Sequence, residues 1–139
     1  MVFSTWYVFA LTSLVLYGAW GYWGTRAAGF VNPLTLTFYS SVGVMIAGFV
    51  ALFLLEFKPE SSLRGNSYAL LNGLANGVAC IFFVAALRRG PAMPVVLITS
   101  MYPLVTLLLS LIFLKQGLTM RQSIGMVFAL AALVLFSLE

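Results

Sequence analysis

Residues 33–55 read PLTLTFYSSVGVMIAGFVALFLL, from Pro33 to Leu55, and no charged side chain interrupts them before Glu56. A helix needs about 20 mostly apolar residues to cross the hydrocarbon core of a bilayer. Asn32 and Pro33 stand where a side-chain cap and a first-turn proline would open such a helix. Working outward, segments 3–23, 66–87, 93–114 and 120–138 have the same character. Thr119 with Gln122 forms a capping-box pattern ahead of the last one. Lipid offers the backbone no hydrogen-bond partners, so these segments must be helices.

The whole chain agrees with this reading. It has 139 residues, 63% hydrophobic and 7% charged, and a mean hydropathy of +1.09. Soluble domains carry about 25% charged residues, and a globule of this size cannot hide so much apolar surface from water. The expectation is an all-α membrane protein: a single domain, 1–139, of five transmembrane helices in one bundle, with short loops and termini on opposite sides. The bilayer is its first partner. The N-terminus lacks a basic n-region, so the first segment reads as a retained helix rather than a signal peptide.

The net charge is +4, from seven Lys/Arg and three Asp/Glu with no His. The basic residues are scattered through connectors and form no stripe along which a nucleic acid could run. They therefore read as loop charges that set topology. With the N-terminal side called side A, that side carries Lys58, Arg64, Lys115 and Arg121, and side B carries Arg26, Arg88 and Arg89. Four against three is a bias of one. Two readings stand: insertion in both orientations with pairing to an inverted copy, or one orientation fixed by a few charges or by a partner. The lone Cys80 can form no intramolecular disulfide.

Polar residues inside the spans are few. Gly73 and Gly77 form a GxxxG pattern beside Asn72 and Asn76, which suits close helix packing. Alternatively Asn76, near mid-helix, faces a cavity and binds substrate. In segment 93–114, Pro103 removes a backbone donor and crowds the Thr99 carbonyl. A kink is expected, with Thr99 or Ser100 able to re-satisfy freed groups, and either packing or a hinge with Tyr102 in the pathway explains it. Tyr39, Ser40 and Ser41 give the second segment a polar face. Trp6 at one end, and Trp20, Tyr22 and Trp23 at the other, suit interfacial belts.

Apart from Glu56 at the close of the second segment, the spans hold no Asp, Glu, Lys, Arg or His between their ends. An ionisable group at mid-membrane usually marks a function. Its absence argues against a proton-coupled carboxylate and leaves no acid–base pair for catalysis. No nucleophile–base pair, metal-ligand cluster or phosphate loop is present, so no enzyme activity, metal or cofactor is expected. The last segment is polar only at its start and reads as a peripheral, lipid-facing helix.

Several stretches resemble one EamA-type unit of the drug/metabolite transporter superfamily. They are Gly18-Ala19-Trp20-Gly21, Asn32-Pro33, Ala86-Leu87-Arg88-Arg89-Gly90-Pro91-Ala92, Thr99-Ser100-Met101-Tyr102-Pro103, Phe113-Leu114-Lys115-Gln116-Gly117-Leu118-Thr119 and Gln122-Ser123-Ile124-Gly125. Their order and spacing carry the resemblance over nearly the whole chain. It implies a transporter of small organic metabolites. Most relatives have ten helices in two inverted five-helix units, so one unit implies a homodimer or a related five-helix partner. The family's pathways run between the first four helices of each unit. Two positions depart from the pattern: Lys115-Gln116 stands where the family often has Gly-Glu, and Ser40 where it often has Arg. The roles of those charges are not carried over.

The resulting expectation is transport of a small molecule by an inverted, antiparallel dimer through alternating access, in a prokaryotic cell (inner) membrane. Its substrate-binding residues would be Asn76, Tyr102, Thr99, Ser100 and Tyr39, with Pro103 and Gly77 permitting motion. The competing readings are a non-transporting subunit of a larger membrane complex and a flippase for lipid-linked substrates.

Overall fold

A computed structural model describes residues 5–115, 117 and 119–137. The described residues are helical with short connectors: α1 Thr5–Ala28, α2 Pro33–Leu54, α3 Leu63–Arg89, α4 Ala92–Thr99, α5 Tyr102–Phe113 and α6 Met120–Ser137. The expected helix start at residue 3 and end at residue 138, and Gln116 of the last turn, lie outside the described residues. Three rods are long and apolar enough to cross a membrane: Pro33–Leu54, Leu63–Arg89 and Ala92–Phe113. The chain forms two compact units, Met1–Arg89 and Gly90–Glu139.

Local chemistry sets the helix ends. The Asn32 side chain accepts from the Thr35 N–H at 2.8 Å, and Pro33 begins α2, as the sequence predicts. The capping box at α6 also forms: the Thr119 N–H donates to Gln122 Oε1 at 2.9 Å, and the Gln122 N–H to Thr119 Oγ1 at 3.4 Å. α3 begins at Leu63 rather than 66, because Ser62 Oγ accepts from the Gly65 N–H at 3.2 Å and the Ser62 carbonyl from the Asn66 N–H at 2.8 Å. That cap draws Arg64 and Gly65 into the helix. α1 runs on to Ala28, past the expected end at Trp23. A helix need not stop where its apolar stretch does: Thr25 Oγ1 bonds back to the Gly21 carbonyl at 2.9 Å, and Arg26 suits the negative end of the helix dipole.

Helix α2 closes through a left-handed turn. Glu56 and Phe57 have φ of 51° and 60°, and the Phe57 N–H reaches back to the Leu52 carbonyl at 3.0 Å. Left-handed backbone costs a side-chain-bearing residue roughly 1–2 kcal/mol. Lys115, in the connector after α5, also adopts φ 50°. The backbone there is one that glycine takes without cost.

In the first unit α3 packs against both α1 and α2. The buried residues are Ala28, Leu36, Cys80, Phe83 and Val84. They come from the last turn of α1, the first turn of α2 and the second half of α3, so the three helices converge toward one end, the predicted side B. Trp20 stacks on Phe83, with centroids 5.3 Å apart and planes at 22°. Gly24 faces the same ring, and a Cβ there would sit 3.4 Å from it. At the opposite end of α3, residues 63–76 are exposed throughout. In the second unit α4 packs against α6. Pro94 to Leu97 on one helix and Met126, Ala129 and Ala132 on the other are half-buried.

Candidate functional site

The second unit holds the clearest departure from regular structure. The expected kink in segment 93–114 is a full break: α4 stops at Thr99, and α5 restarts at Tyr102 with Pro103 in its first turn. Pro103 has no N–H for the Thr99 carbonyl. The Leu104 N–H donates to Met101 O at 2.9 Å rather than to Ser100 O, and the Met101 N–H to Ile98 O at 3.1 Å. Two successive carbonyls, Thr99 and Ser100, thus lose their helical donors near the middle of a 22-residue apolar rod.

The neighbouring hydroxyls do not compensate for that loss. Thr99 Oγ1 donates back to Val95 O at 2.8 Å or Val96 O at 3.0 Å, and Ser100 Oγ to Val96 O at 2.7 Å. Serine and threonine commonly satisfy themselves this way within a helix. Their backbone carbonyls stay available, and their oxygens keep lone pairs. Tyr102 beside them is exposed. The break therefore presents hydrogen-bond acceptors on Thr99 and Ser100, with the Tyr102 phenol as an exposed donor and acceptor.

The other expected site residues lie in the first unit. Tyr39 is exposed on α2, its ring edge-on to Phe38 at 5.4 Å. Asn76 is exposed on α3, and its side chain makes no hydrogen bond among the described residues. Structure links neither residue directly to the other. Gly73 and Gly77 flank Asn76, and an added Cβ at either would meet nothing within 4 Å. Among the described residues both glycine positions thus have room for a side chain.

Sequence reasoning overlooked Thr37. Its Oγ1 is buried without a hydrogen-bond partner among the described residues. Elsewhere in the chain such hydroxyls bond back one turn, as Thr12, Thr25, Ser41 and Ser67 do. An unsatisfied buried hydroxyl costs about 1–3 kcal/mol. The signal was legible, because Thr37, Ser40 and Ser41 fall on one face at helical spacing. At the convergent end of the unit, Pro33, Arg88 and Arg89 line an open cavity of about 270 Å³.

An uncharacterized protein of Methanocaldococcus jannaschii is 28% identical over 139 residues, spanning 95% of this chain and 96% of its own length. No solved structure matches the chain. The profile of one family matches residues 4–138, which takes in the three span-length rods, the capped start of α6 and the Arg88–Pro91 turn alike. With that coverage of an all-helical, strongly apolar chain, the protein is an integral membrane protein and belongs to the EamA-like transporter family.

Proposed function

We propose that the protein carries small organic metabolites across a prokaryotic cell (inner) membrane by alternating access, as an inverted dimer of five-span units. α1 and α6 complete the count of spans begun by the three rods. The observation that carries the reading is the break at Ser100–Met101. Non-helical backbone at membrane depth is tolerated where it lines a cavity or is buried in protein, and transporters place substrate at such discontinuities. Bare carbonyls suit a substrate that brings hydrogen-bond donors. Between their end turns the spans hold no fixed charge with which to grip an anion or a strong acid at mid-membrane.

Thr99, Ser100 and Tyr102 in one unit, and Tyr39 and Asn76 in the other, are the proposed pathway residues, with Thr37 added to them. Pro103 and Gly77 are the proposed points of flexure. Two observations support assembly with a second copy: the open small-residue face at Gly73 and Gly77, and the nearly even split of basic residues between the two sides, four against three.

Solute flux by purified protein in liposomes tests the proposal. Uptake or efflux of at least one small organic solute is expected, reduced in Tyr102→Phe and Asn76→Ala. Absence of flux over a broad panel, with both variants behaving as wild type in cells, would count against it. Reporter fusions at each terminus test the inverted dimer separately: signal on both sides from both fusions is expected, and one consistent orientation would end that part of the reading.

A further inference from the structure

We infer that the convergent end of the first unit is a binding site for the phosphate headgroup of an anionic lipid, held by Arg88 and Arg89 over the start of α2. The two arginines end α3 and, with Pro33, line an open cavity of about 270 Å³. Arg89 Nη1 makes one bond, to Ala85 O at 3.2 Å, and neither arginine has an ion pair among the described residues. The acidic residues of this unit are Glu56 and Glu60, beyond the far end of α2. A 22-residue helix sets them about 30 Å away at about 1.5 Å per residue. The counter-charge must therefore come from outside the unit.

Three further features favour a phosphate that belongs to a lipid. Guanidinium groups match phosphate oxygens in paired hydrogen bonds. Arg26, in the last turn of α1, adds a third positive charge at the same end. The cavity is open to the surroundings, and Leu34, next to Pro33 in its lining, is 67% exposed, so an acyl chain has apolar surface to lie on once the headgroup is seated. Basic pockets beside membrane helices take anionic headgroups in this way. The site concerns lipid and stands apart from the pathway residues, so it holds or fails independently of transport.

Native mass spectrometry of the purified protein tests this, with phosphatidylglycerol, phosphatidylcholine and inorganic phosphate titrated separately. Wild type is expected to retain phosphatidylglycerol at a concentration at least about tenfold below that needed for phosphatidylcholine. Arg88→Gln with Arg89→Gln should abolish that preference, Arg88→Lys with Arg89→Lys should keep part of it, and Arg121→Gln, one charge lost elsewhere, should leave it intact. Equal retention of the two lipids by wild type overturns the inference without recourse to any variant. So does an unchanged preference in the double glutamine variant. Displacement of phosphatidylglycerol by an equal concentration of inorganic phosphate would reassign the cavity to a free anion and overturn the lipid assignment.

Discussion

Two rods of 22 residues, Pro33–Leu54 and Ala92–Phe113, match in length and are similarly apolar. One is a continuous helix and the other is broken. Both contain proline, and its position makes the difference. Pro33 sits in the first turn, where its missing N–H is one of the donors a helix leaves free anyway. Pro103 sits mid-rod, where the missing donor strands a carbonyl. The intact rod therefore carries its polarity on side chains, Thr37, Tyr39, Ser40 and Ser41, whereas the broken rod also carries it on backbone. Two apolar segments that look interchangeable in composition thus have different work available to them.

Moving the defect should break this comparison most severely. Val44→Pro would place a proline in the middle of α2, and it should cost about 3 kcal/mol or more, seen as lost folded yield and a lowered unfolding midpoint in detergent. The reverse change, Pro103→Ala, restores a donor to Thr99 O and lets α4 and α5 fuse. The unfolding midpoint should hold or rise, while flux falls by roughly tenfold or more if the break serves the pathway.

Smaller changes sharpen the contrast at the helix ends. Asn32→Ala removes the side-chain cap on the Thr35 N–H at the start of α2, and it should cost about 1 kcal/mol of stability. Lys115→Gly, after the broken rod, should raise stability by about 1 kcal/mol by relieving the left-handed backbone; a drop instead would show that the lysine side chain has a role the conformation hides.

Much of this was legible because it is local. The Asn32–Pro33 start and the Thr119–Gln122 box depend on residues within one turn, and both form as the spacing predicts. Pro103 announces a defect, but a bend and the full break at Ser100–Met101 look alike in sequence, since the outcome depends on which carbonyls the Leu104 and Met101 N–H groups reach. The helix start at Leu63 was missed because Ser62 lay inside a run of charged and polar residues read as connector. Packing was not legible at all. α2 and α3 are apolar around most of their circumference, so no stripe marks the side that meets a neighbour. The convergence of Ala28, Leu36 and Val84 at one end emerges only when helices are placed; the spacing of Thr37, Ser40 and Ser41 marks a shared face but not that the Thr37 hydroxyl is buried without a partner among the described residues. Tyr39 and Asn76 were chosen by depth along their helices, which says nothing about the direction in which a side chain looks.

The most direct measurement is the reaction of a mid-rod cysteine with a membrane-impermeant thiol reagent, in native membrane vesicles and a Cys80→Ala background. Ser100→Cys, at the break, should react at least about tenfold faster than Ile46→Cys, midway along α2, because water reaches only a discontinuity that lines a cavity. Equal rates at the two positions, or no reaction at Ser100→Cys, would contradict the assignment of the break to a pathway.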